Sequence, residues 1–248
     1  MRTLALYNVK GGVGKTATAV NLAATTALRG LRTLVWDLDP QGATTFYFKL
    51  KPHLKGGGER LLKKRSDLRD HIRGTEHPDL DVLPSDFDNR HLDLRLEDLK
   101  HPERRLLHLL DPLEEDYDVV FLDCPPSVSR LSEAILSAAH GLLVPMIPTT
   151  LCLHTLDQIV RLRETLGCGG CRILPFFSMV DRRKALHLEI LEALPRQHPF
   201  LLRTSLPCAS EIERMGISRT PLPFASPRGA LSQLYGGLWD EVEARLQV

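Results

Sequence analysis

The chain has 248 residues, and its 32 lysines and arginines nearly balance 31 aspartates and glutamates, which gives a formal net charge of +1. This balance excludes binding to nucleic acid through overall charge alone, so any such contact must come from a local patch. No apolar run reaches the roughly 18–20 residues that a membrane-spanning helix needs. No signal peptide precedes the first apolar run, and we expect a cytoplasmic protein.

Strand and helix patterns alternate along the chain, which favours an α/β fold. We expect residues 1–248 to form a single domain, a doubly wound and mainly parallel sheet with helices on both faces. The predicted strands cover residues 2–8, 32–37, 80–84, 118–123, 141–147, 172–178 and 200–205. The predicted helices cover residues 15–29, 41–49, 87–95, 103–114, 128–139, 151–166, 183–194, 209–216 and 227–246.

A glycine-rich loop follows the first predicted strand and precedes the first predicted helix. It reads K-G-G-V-G-K-T over residues 10–16. Glycines allow the backbone to wind closely around a phosphate chain, and the following helix N-terminus adds its positive end. In such a phosphate-binding loop, Lys15 would reach the β- and γ-phosphates and the Thr16 hydroxyl would bind Mg²⁺.

Lys10 is the unusual residue of this loop. The pattern G-x-x-x-x-G-K-[ST] fits only if Lys10 stands where the first glycine usually stands. A second lysine is not needed to hold phosphates within one subunit. Its length and charge would allow it to reach a phosphate in a facing subunit.

Two further carboxylate motifs follow predicted strands. The sequence D-L-D-P-Q-G covers residues 37–42, directly after the apolar run 33–36. The run 119–122 ends in Asp123, the form of a strand that supplies a carboxylate to Mg²⁺. Ligands of open α/β sheets bind at the carboxyl ends of the strands, so both motifs are expected beside the phosphate loop.

With its first lysine, its D-L-D-P-Q-G box and the D-C-P-P sequence at 123–126, the chain closely resembles the ParA/MinD family of ATPases. The resemblance implies a P-loop NTPase fold with a deviant Walker A loop, ATP and Mg²⁺ as cofactors, and a homodimer that forms with ATP. In this family the first lysine crosses the dimer interface, which would be the role of Lys10. The segment after Asp123 is in such proteins a switch that senses the γ-phosphate.

The resemblance also implies the roles of individual residues. Asp39 would orient the attacking water and would act in catalysis with Lys10 and Lys15. Asp37 would support the metal, alongside Thr16 and Asp123. The expected nucleotide-binding residues are Lys10, Gly11, Gly12, Val13, Gly14, Lys15, Thr16 and Ala17 of the phosphate loop, with Pro207 and Glu211 in a loop near the base.

The function implied by the resemblance is the positioning of a cargo inside the cell. Members of the family are slow ATPases that a small adaptor protein stimulates, and their ATP-bound dimers bind nonspecific DNA. The protein would then be nucleoid-associated and would position or segregate a plasmid, a chromosome region or a protein organelle such as a carboxysome. The absence of an N-terminal helix-turn-helix domain argues against operator-specific DNA binding.

Two basic regions are candidates for DNA contact. The segment 49–69 contains eight lysines and arginines and a triple glycine, which fits either a mobile DNA-binding surface or an ordinary solvated face. The second region includes Arg182, Arg183 and Arg214, which correspond to a DNA-binding region of ParA-type proteins. These arginines could equally be surface residues whose stems cover apolar neighbours.

Two alternatives of the same fold remain. A MinD-like ATPase would bind membranes through its C-terminal helix, but the polar side of residues 227–246 carries Asp240, Glu241 and Glu243, which anionic lipids would repel. An iron–sulfur carrier would need cluster cysteines. Cys168 and Cys171 form a single C-x-x-C, which leaves two ligands of a tetrahedral site missing from one chain.

Overall fold

The computed structural model describes residues 1–54, 61–62 and 67–246. Part of the basic segment 49–69, including Lys63, Lys64 and Arg65, lies outside these residues. The strands of the described residues are β1 (Arg2–Leu6), β2 (Thr33–Asp37), β3 (Arg73–Gly74), β4 (Leu80–Leu83), β5 (Val119–Asp123), β6 (Gly141–Met146) and β7 (Arg172–Phe177). They form one sheet in the order β3-β4-β2-β5-β1-β6-β7, in which β3 is antiparallel to β4 and the other neighbours are parallel.

The helices that the structure describes are numbered here in chain order. They are α1 (Lys15–Leu28), α2 (Ala43–Tyr47), α3 (Leu92–Glu97), α4 (Arg105–Leu110), α5 (Arg130–Ala138), α6 (Cys152–Thr165), α7 (Ala185–Gln197), α8 (Ser210–Ser218), α9 (Leu222–Ala225) and α10 (Ala230–Leu246). Short 3₁₀ turns cover Leu68–Asp70, Phe87–His91, Pro102–Arg104 and Asp111–Leu113.

The two faces of the sheet are both covered, because successive strand residues point to opposite sides. Leu4 and Leu6 of β1 pack into a cluster with α1 and α10, whereas Ala5 packs into the other cluster, with α4, α5 and α6. Burial on both faces is the arrangement that a parallel sheet requires. The predicted doubly wound, mainly parallel α/β fold is therefore confirmed.

The C-terminal helix belongs to this core. Trp239 of α10 is almost fully buried and meets Phe121 of β5 edge to face, with ring centroids 6.0 Å apart. Tyr235, Leu238 and Val242 are buried in the same cluster. The apolar face of α10 thus packs against the protein's own core. This agrees with its acidic polar side, which disfavours binding to anionic lipids.

Several elements differ from the sequence prediction, among them the short helix α9, which was not predicted. The predicted strand 200–205 is wrong: Leu202 N–H and Leu206 N–H donate to carbonyls of β7, but these isolated bonds do not make a ladder. Leu201 and Leu202 of this segment are buried against the edge of the sheet instead, whereas Phe200 is exposed. The two-residue strand β3 was not predicted, since an exposed Arg-Gly pair carries no periodic signal.

Candidate active site

The phosphate loop has the backbone conformation that its glycines permit. Gly12 and Gly14 have φ angles of +70° and +90°, which favour glycine. A Cβ on Gly14 would lie 2.8 Å from Ser178 Oγ, so a side chain would not fit there without a shift. Helix α1 begins at Lys15, and its first amide N–H groups lack intrahelical acceptors. These groups and the helix N-terminus form an anion-binding site at the carboxyl end of β1.

Lys15 is buried behind this loop, and its Nζ donates a hydrogen bond to the Lys10 carbonyl at 3.0 Å. Burial lowers the pKa of Lys15, and the negative charges of Asp123 and Asp39 oppose this shift. The ammonium group therefore faces the carboxylates of the neighbouring strands. It is positioned to contact an anion that enters between them.

Asp37 and Asp123 end the neighbouring strands β2 and β5 and lie directly opposite each other in the register. Asp37 Oδ2 accepts hydrogen bonds from Thr45 N–H at 2.8 Å and Thr45 Oγ1 at 2.7 Å. Asp123 Oδ2 accepts one from Thr44 Oγ1 at 2.8 Å. The other oxygen of each carboxylate is buried and has no hydrogen-bond partner among the described residues.

The electrostatics of this pair follow from its burial. Desolvation, and then the charge of Asp123, raise the pKa of Asp37 to about 8. Desolvation also raises the pKa of Asp123 to about 6, although the hydroxyl groups of Thr44 and Thr16 oppose the shift. Two unpartnered carboxylate oxygens beside a threonine hydroxyl are hard oxygen ligands, so the residues present fit Mg²⁺.

Asp39 lies further out, at the wall of the cleft. Its Oδ1 accepts a hydrogen bond from Gln41 N–H at 2.9 Å. Its carbonyl accepts hydrogen bonds from Ser85 Oγ at 2.6 Å and Gly42 N–H at 2.9 Å. The backbone of Asp39 is therefore fixed, while its carboxylate faces the space above the phosphate loop.

A cleft of about 360 Å³ lies at the phosphate loop. Gly11, Gly12, Gly14, Lys15, Thr16, Ala17 and Asp39 line its phosphate end. The opposite end is mainly apolar and includes Pro207, Cys208, Ile212 and Tyr235. A polar, cationic end joined to an apolar end is the shape expected for a nucleotide with its base in the apolar part.

The cleft includes one of the two residues predicted near the base. Pro207 lines it, whereas Glu211 lies outside and lines a separate surface cavity with Arg214. Glu213 of α8 lines the cleft instead. Residues two apart on a helix point to nearly opposite sides, which explains why Glu211 faces away.

Lys10 and Val13 lie on the other side of the phosphate loop. Both line a cavity of about 190 Å³ with Met146, Thr149 and Cys152, and neither lines the nucleotide cleft. Asn8 fixes the start of the loop, since its Oδ1 accepts from Lys10 N–H at 2.9 Å and its Nδ2 donates to the Pro145 carbonyl at 2.8 Å. Lys10 thus does not line the cleft of its own subunit.

The predicted DNA-contacting arginines are exposed. Arg182 and Arg183 follow β7, and Arg183 forms an ion pair with Asp181, with Nε 2.9 Å from Oδ1. This ion pair lowers the pKa of Asp181. Arg214 lies on α8. The cationic side chains are therefore accessible, although Arg183 is partly neutralised.

Within the described ranges, no group of three or more histidines, cysteines, aspartates or glutamates is arranged to hold a metal ion. Cys168 and Cys171 instead form a turn in which Cys171 N–H donates to the Cys168 carbonyl at 3.0 Å. As far as the structure describes the chain, it has no helix of the length and apolarity that crossing a bilayer requires.

Several site residues carried no sequence signal. Thr44 and Thr45 orient the two buried carboxylates, and Tyr47, Met179 and Tyr235 complete the cleft wall. Helix α2 is in turn tied to the region after α8: Arg219 Nε donates to the Phe46 carbonyl at 2.8 Å, and its guanidinium lies 4.4 Å from the Phe46 ring centroid. Among these residues, only Thr44 and Thr45 could have been linked to the site from the sequence, because they closely follow the D-L-D-P-Q-G box.

Comparisons with known proteins agree with this geometry. The family model of an AAA domain named AAA_31 matches residues 1–167. The chromosome partitioning protein ParA of Caulobacter vibrioides is 34% identical over 206 residues, which cover 77% of this chain and 74% of that protein.

Solved structures are similar over nearly the whole chain. Cobyrinic acid a,c-diamide synthase from Mycobacterium smegmatis, with bound ADP and magnesium, has a TM-score of 0.77 and 27% identity, covering 92% of this chain and 97% of that one. The complex of a Cyanothece McdA variant with ATP has a TM-score of 0.84 over 98% and 96% of the two chains. At 22% identity, it shows the fold alone.

Proposed function

The chain belongs to the ParA/MinD-type P-loop ATPases, and from that premise we propose that it is a dimerising, DNA-bound positioning ATPase. ATP and Mg²⁺ are its cofactors. The observation that carries the proposal is the cleft that Lys15, Thr16 and Asp39 line together, with Asp37 and Asp123 at the paired ends of β2 and β5, where each has one buried oxygen without a partner among the described residues.

The positions of the side chains support the following roles in hydrolysis. The first amides of α1 and Lys15 would hold the phosphates, and Thr16, Asp37 and Asp123 would hold the metal. When bound, Mg²⁺ would neutralise charge on the β- and γ-phosphates. Asp39 would orient the attacking water, since its carboxylate faces the cleft from a fixed backbone.

Dimerisation would depend on Lys10. Its side chain lies outside the cleft of its own subunit, which leaves it free to contact the nucleotide of a facing subunit. ATP would then close a homodimer, and hydrolysis would separate it. A slow turnover that a small adaptor protein stimulates would set the lifetime of the closed state.

The dimer would bind nonspecific nucleoid DNA through phosphate contacts from Arg182, Arg183 and Arg214. Two subunits double the number of contacts, and affinity rises steeply with the number of phosphates neutralised. The cargo would be a plasmid, a chromosome region or a protein organelle such as a carboxysome. This function places the protein in the cytoplasm, on the nucleoid.

The alternatives gain no support from the described residues. A MinD-like membrane helix would need an exposed apolar face, but α10 buries Tyr235, Leu238 and Trp239. An iron–sulfur carrier would need Cys168 and Cys171 to be completed by ligands from a second subunit, because the described residues of one chain hold no group of three or more metal-ligating residues. The ParA-type positioning function is therefore preferred.

The test is binding to random-sequence duplex DNA with ATP, with ADP and without nucleotide, at one stated salt concentration. We expect the protein to bind DNA in the presence of ATP and not in the other two conditions. Equal binding in all three conditions would contradict the proposed ATP-dependent binding to DNA. So would the absence of DNA binding under conditions in which ATP still forms the dimer. The Lys15→Ala variant, which lacks the phosphate-contacting lysine, is the matched control.

A further inference from the structure

Tyr7 lies directly after β1 and three residues before Lys10, at the base of the phosphate loop. Only 1% of its surface is exposed. Its hydroxyl donates a hydrogen bond of 2.7 Å to the carbonyl of Ser127. Ser127 belongs to the loop 124–129, which connects β5 to α5 and directly follows the proposed metal ligand Asp123.

The loop 124–129 reaches the nucleotide cleft through Pro126. A Cβ placed on Gly11 would have Pro126 Cγ as its nearest neighbour, at 4.0 Å, so this loop lies against the phosphate loop. The Ser127 carbonyl accepts a second hydrogen bond from Ser132 Oγ at 2.7 Å. One carbonyl is therefore fixed from two sides, by the strand before the phosphate loop and by the first turn of α5.

The hydroxyl of Tyr7 is separable from the packing of its ring. The ring belongs to the core cluster beneath α5, and a phenylalanine would retain that packing. Removal of the hydroxyl would leave the Ser127 carbonyl with the hydrogen bond from Ser132 Oγ, and Ser127 would keep its N–H bond to the Pro125 carbonyl at 3.0 Å. The loop would keep its contact with Gly11 and its Cys124 N–H bond to the Leu6 carbonyl, but it would lose its side-chain bond to the residue that follows β1.

We propose that Tyr7 is a positioning residue that holds the loop 124–129, and with it Pro126, against the phosphate end of the nucleotide cleft. The inference rests on the proposed ATPase function for its catalytic consequence. It concerns the alignment of the loop next to the γ-phosphate rather than the binding of the nucleotide. Tyr7 itself does not line the cleft.

The test compares Tyr7→Phe with Tyr117→Phe. Tyr117 is a suitable control because it is also buried and donates a 2.7 Å hydrogen bond, to Asp81 Oδ2. It precedes β5 and so lies at the opposite end of the sheet from the cleft. Each variant removes one buried tyrosine hydroxyl, and only Tyr7→Phe changes the bond to the loop.

Amide hydrogen exchange of residues 127–129 is measured first, without nucleotide. We expect exchange in Tyr7→Phe to rise by about three- to tenfold, the equivalent of one net hydrogen bond, and to stay unchanged in Tyr117→Phe. Single-turnover ATP hydrolysis is expected to fall over the same range of about three- to tenfold, while the ADP dissociation constant changes by less than about twofold.

Three results would overturn the proposal: exchange equal to that of the Tyr117→Phe control, a hydrolysis rate that does not fall although exchange rises, or a decrease in ADP affinity that matches the decrease in rate. Absence of ATP hydrolysis by the wild-type protein would instead contradict the proposed function. In that case the exchange measurement still decides whether Tyr7 positions the loop.

Discussion

Asp37 and Asp123 occupy paired positions at the ends of two neighbouring parallel strands, and each carboxylate has one oxygen bound by a threonine and one oxygen without a partner among the described residues. Two buried acids so close together are unfavourable when both are charged. The pair is therefore a source of instability in the metal-free protein. A bound divalent cation would remove the repulsion.

The stability of the metal-free protein should consequently fall as the pH rises. Because both folded pKa values lie above the ordinary carboxyl value, the folded state binds more protons than the unfolded chain from about pH 4 to about pH 8. Thermal unfolding in EDTA should show a melting temperature that decreases across this window. A melting temperature that increases with pH there would contradict the assignment.

The substitution Asp37→Asn tests the same pair chemically. Asparagine keeps an oxygen to accept from Thr45 but removes one charge, so the metal-free variant should melt a few degrees above wild type near pH 8 and close to it near pH 5. Mg²⁺ should no longer stabilise this variant. Asp157→Asn, which changes an exposed aspartate on α6, should behave like wild type.

Lys10→Ala should retain nucleotide binding and lose the ATP-dependent dimer, because Lys10 lies outside the cleft of its own subunit. A hydrogen bond to a charged group is worth about 1.5–3 kcal/mol, so the dimer should weaken by about tenfold or more. Sedimentation with ATP and with ADP measures this effect. A stable ATP dimer of the variant would refute the role across the interface.

Asp39→Ala should bind ATP and hydrolyse it at least about a hundredfold more slowly, because the water-orienting carboxylate is removed. The ATP-bound dimer of this variant should accumulate, because slow hydrolysis delays its separation. The fold should be unaffected, since the hydrogen bonds to the Asp39 carbonyl use the backbone. Turnover at the normal rate would contradict its role.

The double variant Arg182→Ala/Arg183→Ala should weaken ATP-dependent DNA binding without any preference for sequence. The salt dependence of the affinity should decrease by about one unit of slope for each arginine that no longer binds a phosphate. Arg196→Ala on α7 is the control, since Arg196 is also exposed and paired with a carboxylate, that of Glu192. If Arg196→Ala lowered the affinity for DNA as much as the double variant does, Arg182 and Arg183 would not form a specific DNA-binding patch.

Most residues that line the phosphate end of the cleft could be proposed from the sequence, because the chemistry of a phosphate loop depends on short runs of adjacent residues. Glycines, a lysine and a threonine must follow one another for the backbone to surround a phosphate. The carboxylates of Asp37 and Asp123 were equally visible, since each ends an apolar strand. The doubly wound fold followed from the alternation of strands and helices.

The base end of the cleft could not be predicted in the same way. Tyr47, Met179 and Tyr235 come from three distant parts of the chain, and any apolar residue of suitable size could form such a wall. Whether Glu211 or Glu213 faces the cleft depends on the rotation of α8, which the sequence pattern leaves undetermined. The segment 200–205 is as apolar as a strand. Leu201 and Leu202 are nevertheless buried at the edge of the sheet without forming a ladder of backbone hydrogen bonds.

The contact between Trp239 and Phe121 has a consequence for how the protein is made. The strand that carries Asp123 packs against a helix that ends at residue 246, and Tyr235 of that helix forms part of the cleft. A nascent chain that has emerged only as far as α9 therefore has its phosphate loop but lacks both this support and this wall. ATP capture should thus begin only after α10 has left the ribosome.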